Sequence, residues 1–273
     1  MMTLARPFAV LALAGALALG GCAQDRLSDF GAGAQQTETV DALMRAAEGK
    51  FDDGDYRAAA TLYRSAHEAD TEERTAPIVG LGRSLAALGA PQDAAEAYRK
   101  ALSIDDDEPE ALRGLANALV AIGQPGLASG YFEQARAVAP EDWRIDLGQG
   151  VALDLMGDHA AAQTVYRAGL AKAPAGEADL TSNLALSLAL TGEAKTAIDL
   201  MRPIVERADA APRHRQTLAL IYGLAGDREA ARRLASVDLT PREVEQNLAF
   251  YETLRGFEDP TRRLRAIRAQ QAQ

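Results

Sequence analysis

Glycine recurs at Gly54, Gly89, Gly123, Gly157, Gly192 and Gly226, each 34 or 35 residues after the one before. Other positions keep the same register. Five residues after each glycine stands Ala59, Ala94, Ala128, Ala162, Ala197 or Ala231. Seven before it stands Ala47, Gly82, Ala116, Gly150, Ala185 or Ala219. Nine after it stands Tyr63, Tyr98, Phe132, Tyr166 or Met201, and then Ala235. Accidental periodicity in an alanine-rich chain does not hold several residue types in one frame through six units. The unit Pro109–Asp142 shows what repeats. Leu112, Leu115, Leu119 and Phe132 fall at helical spacing, Gly123 breaks the run and Pro140 stops it. Ala116 and Ala128 are small where two helices must touch. Each unit is therefore a helix–turn–helix hairpin. One hairpin cannot bury both of its faces, so the units must stack.

A helical hairpin of this period resembles the tetratricopeptide repeat. Composition agrees: 48% of residues are hydrophobic but only 5% aromatic, and the surplus is mostly alanine and leucine, which favours close-packed helices. The expected fold is all-α, a right-handed superhelical solenoid of about six repeats over residues 40–238 with a C-terminal capping helix at 239–255. Units start near Val40, Thr75, Pro109, Trp143, Ala178 and Pro212. Trp143, the only tryptophan, lies where two repeats join and is expected in the core. Pro203 falls inside a helix and should kink it. Thr240, Pro241 and Glu243 form a helix start with a capping box, and Val244, Leu248, Tyr251 and Leu254 share one face of that helix. Residues 256–273 are a basic tail in which Asp259-Pro260 starts a last helix with Arg262, Arg263, Arg265 and Arg268, expected to be solvated and frayed.

The N-terminus is of another kind. Met1–Arg6 is a short positive leader and Phe8–Leu19 an apolar run. As a helix that run would span about 18 Å, short of a hydrocarbon core of about 30 Å, so it reads as a signal-peptide core. The sole cysteine follows in Leu19-Gly20-Gly21-Cys22, which resembles the lipobox of bacterial lipoproteins. The resemblance implies a signal peptide at 1–21 and a lipidated Cys22 as first mature residue. Several acyl chains exceed what stable anchoring needs. Cleavage would leave the mature chain one unit more negative than the −10 of the full sequence. Ala23 rather than aspartate follows the cysteine, which by the same resemblance implies sorting to the outer membrane, on its periplasmic face. Residues 22–39 are polar and aperiodic and read as a flexible tether with a reach of about 20–25 Å.

No constellation for chemistry stands out. His67, His159 and His214 lie in different repeats, none with a second ligand three or four residues on. One cysteine excludes an intrachain disulfide and any cysteine-based zinc site. There is no nucleophile elbow and no phosphate loop. Asp105–Glu108 lacks the glycine and distal glutamate of a calcium loop and reads as a solvated turn favouring the next helix's N-terminus. A net charge of −10 argues against nucleic acid as partner. The expectation is a non-enzymatic scaffold with no cofactor, no metal and no small-molecule substrate, whose partner is a protein.

The C-terminal third narrows this. Ser182-Asn183-Leu184-Ala185-Leu186, Met201-Arg202-Pro203, the run from Arg215 to Gly226 and Gln246-Asn247-Leu248-Ala249-Phe250-Tyr251 resemble the TadD family, tetratricopeptide lipoproteins of the tight adherence (Flp) pilus system. That resemblance implies pilus assembly, pilotin-like help to a secretin, and partners among the secretin and other pilus components. The alternatives are a lipoprotein of outer-membrane protein assembly or of another pilus or secretion system, and an adaptor for a periplasmic hydrolase. The repeat resemblance also implies that the first helix of each unit lines a concave groove. It places Val120, Leu147, Val151, Leu155, Leu186, Leu190, Leu220 and Leu224 there, flanked by Arg113, Arg144 and Arg213. Arg113 and Asn117 resemble the start of a chaperone-type carboxylate clamp. Gly148 and Asp179 stand where its asparagine and lysine would be needed, so the groove suits an amphipathic helix better than a C-terminal carboxylate.

Overall fold

The computed structural model describes residues 21–271, with side chains over 36–270. The described residues form fourteen helices: α1 (Gly21–Asp52), α2 (Tyr56–Ala69), α3 (Thr75–Ala87), α4 (Pro91–Leu102), α5 (Pro109–Ile122), α6 (Pro125–Val138), α7 (Trp143–Met156), α8 (His159–Lys172), α9 (Ala178–Leu190), α10 (Ala194–Val205), α11 (Pro212–Ala225), α12 (Arg228–Ala235), α13 (Pro241–Arg255) and α14 (Pro260–Gln271). No strand occurs among them. Consecutive helices pack antiparallel in hairpins and the hairpins stack, so α1 to α12 make six repeats. First helices of neighbouring repeats also touch (α3 with α5, α5 with α7, α7 with α9, α9 with α11), which builds one continuous face.

The recurring residues do the work their spacing suggests. All six interhelix glycines have φ between +73° and +98°, where a Cβ would be strained. At the third turn Gly123 ends α5 in a left-handed cap, and Pro125 opens α6 at a position whose N–H would be unpaired in any case. Leu112, Leu115, Leu119, Ala128, Phe132 and Ala135 are buried together between the two helices. The alanines of the register, Ala59 through Ala231, are fully buried, which lets the backbones approach.

Four expectations change. Residues 22–39 are helical, as the first part of α1, where an irregular tether was expected. Ala23, Ala32, Ala34 and three glutamines favour extension of a helix already nucleated over 40–52. Gln36 Nε2 donates to the Ala69 carbonyl at 3.0 Å, and Val40 is buried. Residues 1–20, which hold nearly all of the expected signal peptide, and the side chain of Cys22 lie outside the described residues. Trp143 is only half-buried, at the edge of the core, with the Arg144 guanidinium 4.8 Å from its ring centroid. Pro203 lies in the last turn of α10, which ends two residues later at Val205. The largest change is at the C-terminus. The basic segment is not frayed: α14 folds back onto α7 and α9, and Leu264 and Ile267 are buried. Their i, i+3 spacing gives the arginine-rich helix one apolar edge. Between the array and α14, α13 covers the last repeat as expected, with its capping box formed and Val244, Leu248, Tyr251 and Leu254 buried.

Candidate binding groove

The continuous face of α3, α5, α7, α9 and α11 is the candidate groove, and its two halves differ. In the N-terminal half, rings project between repeats over glycines 34 residues apart. A Cβ at Gly80 would lie 2.4 Å from the Tyr63 ring, at Gly114 2.3 Å from Tyr98, and at Gly148 2.6 Å from Phe132. Asn117 Oδ1, at 2.5 Å from the same position, and the Phe132 ring thus together account for the glycine where a carboxylate clamp would carry asparagine. Asn117 is exposed on this half and Val120 is buried beside it. Burial raises the Tyr98 phenol well above its ordinary value, and nearby Glu110 adds to the shift.

The flanking arginines are not free. Arg113 pairs with Asp142 at 3.1 Å, Arg144 with the same carboxylate at 3.4 Å, and Arg213 with Asp179 at 3.1 Å. Leu147 and Val151 are half-buried against the core of repeats four to six. In the C-terminal half the groove is covered by the chain itself. Leu190 and Leu220 are buried in one cluster with Leu254 of α13 and Leu264 and Ile267 of α14, and Leu155, Leu186 and Leu224 pack on it. From sequence these leucines are open to a partner and the arginine-rich terminus is solvated, because the two-residue apolar edge of α14 is too short a pattern to show otherwise.

Beneath α14 lies a cavity of about 460 Å³, walled by α7, α9, α11, α13 and α14 with Tyr166 of α8. Two polar groups beside it were not foreseen. Asp154 of α7 is buried, with Oδ1 taking Ser187 Oγ of α9 and His159 Nδ1 of α8, both at 2.7 Å, and Oδ2 taking Tyr166 Oη at 3.0 Å. Burial raises the Asp154 carboxyl above its ordinary value despite these bonds. The serine and the histidine meet the same carboxylate oxygen, so this is a clamp joining three helices and not a serine activated by a base. Asp154 stands three residues before its glycine, where the other units have Phe51, Ala86, Val120, Ala189 and Gly223. A lone acid in an apolar register is the signal that could have found it. Ser182 Oγ lies 3.0 Å from His214 Nδ1, but its hydroxyl is also 2.7 Å from the Ala178 carbonyl, which commits its proton to the backbone. Desolvation, reinforced by the neighbouring Arg213 charge, lowers the His214 pKa below its ordinary value. A further buried acid, Asp146, is held by Arg136 at 2.7 Å and Lys172 at 2.8 Å. Among the described residues no group of three or more His, Cys, Asp or Glu could hold a metal ion. No helix among them is long and apolar enough to cross a membrane.

The fold and this groove define the class: an all-helical tetratricopeptide-repeat array. Residues 44–109 and 85–147 each match a family model described as tetratricopeptide repeat. No curated protein matches the chain. Among solved structures, it is similar to PilW, described as a widely conserved type IV pilus biogenesis factor, at 20% identity and a TM-score of 0.66, over 77% of this chain and 96% of PilW. It is similar to PilF of Pseudomonas aeruginosa at 20% identity and a TM-score of 0.60, over 73% of this chain and 90% of that one. A thermophilic tetratricopeptide protein of Thermus thermophilus, TTC0263, is 21% identical with a TM-score of 0.60, over 67% of this chain and 98% of its own. At these identities the likeness concerns the fold.

Proposed function

We propose that the chain is a non-enzymatic scaffold, lipid-anchored at Cys22 to the periplasmic face of the outer membrane. In this reading it serves assembly of a tight adherence (Flp) pilus in a pilotin-like role, binding the secretin or another pilus component through the groove face. The observation that carries it is the conjunction of a lipobox-like Leu19–Cys22 with a repeat array whose last third resembles TadD. The fold shared with PilW and PilF supports a pilus role and favours, as second reading, a lipoprotein of a type IV pilus. Deletion of the gene tests both. The first reading expects loss of surface Flp pili and of secretin multimers from the outer membrane, restored by the wild-type chain. Normal Flp piliation with loss of type IV pili would favour the second, and loss of neither would sink both.

A further inference from the structure

α14 sits where a ligand would. Other helices pack on near neighbours in the chain, whereas α14 returns across the array to α7 and α9. It enters by two aliphatic side chains three residues apart, Leu264 and Ile267, on one helical edge. Two polar ties hold it: the Arg263 guanidinium donates to the Leu190 carbonyl at 3.2 Å, and Thr261 Oγ1 lies 3.4 Å from His159 Nε2. Arg262, Arg265 and Arg268 are exposed, Arg268 at the rim of the cavity that α14 covers. The seat is not sealed: a half-open cavity of about 460 Å³ remains between Leu264, Ile267 and the groove wall. The wall is not purely apolar. Gln216, which lines the cavity, donates through Nε2 to Asp238 Oδ2 at 3.1 Å, and its Oε1 is closed off without a hydrogen-bond partner while α14 is seated. A buried acceptor of this kind seeks a donor. A tyrosine or tryptophan has the apolar body to fill the space and an O–H or N–H at its tip for the amide oxygen. Leucine and isoleucine have neither the size nor the donor.

We propose that this seat is the binding site for an amphipathic helix of a partner protein that carries a tyrosine or tryptophan anchor, and that α14 is its resident, weaker occupant, displaced when the partner binds. This rests on the groove reading above, and it names the partner's chemistry and its control. A ligand that must first displace an intramolecular segment loses apparent affinity in proportion to how rarely the seat is open.

The test uses the full chain and a labelled synthetic helix of residues 257–271, unsubstituted or with Ile267→Trp. Each is titrated by fluorescence anisotropy into the intact chain and into the double variant Leu264→Glu/Ile267→Glu, whose buried acids should expel α14. The expected result is about tenfold tighter binding of both peptides by the double variant, and about tenfold tighter binding of the tryptophan peptide than of the unsubstituted one. Amide exchange over 260–271 should speed up when the tryptophan peptide binds the intact chain. Equal affinity for the intact chain and the variant would overturn the proposal. So would no binding by a variant whose α14 amides exchange freely while α2 to α8 stay protected, or continued protection of α14 in that variant. Should the glutamates unfold the array, Leu264→Ala/Ile267→Ala replaces them with the same criteria. Secretin capture is scored separately. Peptide binding without secretin capture sinks the pilus reading alone, and secretin capture without peptide binding sinks this proposal alone.

Discussion

At Gly114 an added Cβ would lie 2.3 Å from the Tyr98 ring, while at Gly130 it would meet nothing within 4 Å. Both glycines are helical and their helices are consecutive, so propensity alone treats them alike. Gly130→Ala should stabilise by about 0.5–1 kcal/mol through helix propensity. Gly114→Ala should cost about 1–3 kcal/mol, because the ring is buried and has little room to move. Urea unfolding of the two variants checks the pair, and equal shifts would mean that the ring does not press on α5. Asp154 gives a pH prediction. Its carboxyl titrates above the ordinary 3.8, chiefly through burial. Between the two values the folded chain holds a proton that the unfolded chain has lost. The group's contribution is therefore full at the acid end and declines as pH rises through the raised value. Asp154→Asn cannot titrate. The stability of the wild type minus that of this variant should fall as pH is raised from about 4 to about 8 in thermal unfolding. A flat difference would mean that the carboxyl titrates normally. Asp154 was visible in the sequence as an acid out of register. Its partners were not, because His159, Tyr166 and Ser187 come from two other helices and converge only once these pack.

Element boundaries were legible wherever a local residue forces them. The positive-φ glycines, the prolines at first helical positions and the Thr240 capping box each act within a few residues, so spacing alone places α3 to α13. Thr240→Ala removes the hydroxyl that accepts from the Glu243 N–H and donates to the Glu243 carboxylate. It should cost about 1 kcal/mol. The loss should concentrate in amide protection of α13, which covers the open end of the array, and unchanged protection there would show that packing alone holds the helix. The ends of the chain were not legible for the opposite reason. Nothing local distinguishes a solvated arginine-rich helix from α14, which is ordered by a cluster formed with α9, α11 and α13. Likewise the extension of α1 over 22–39 depends on the helix it continues and on Gln36 reaching Ala69, not on any periodicity of its own.

For the whole molecule, the helical course of α1 changes what an anchor at Cys22 would do. A flexible tether lets the array wander within its reach. Eighteen residues of helix from Cys22 to Val40 would instead hold the array about 27 Å from the lipid, with Gly31 and Gly33 as the weakest points. The array would then be kept off the lipid by a stiff spacer, while the single joint at Cys22 leaves it free to pivot towards a partner embedded there. All of this requires the thiol. Lipid transfer needs a thiolate nucleophile, and a serine hydroxyl is far weaker at neutral pH. Cys22→Ser should therefore leave an unlipidated precursor, heavier than the mature polypeptide by the uncleaved leader and lacking the acyl mass. It should leave the outer-membrane fraction, while circular dichroism of the purified chain stays that of the array, because the array's buried core lies between Val40 and Ile267. A mature, acyl-bearing, membrane-bound product from that variant would sink the anchor and with it the spacer role of α1. A soluble, folded variant that still restored pili would keep the anchor and show that assembly does not need the array held at the membrane.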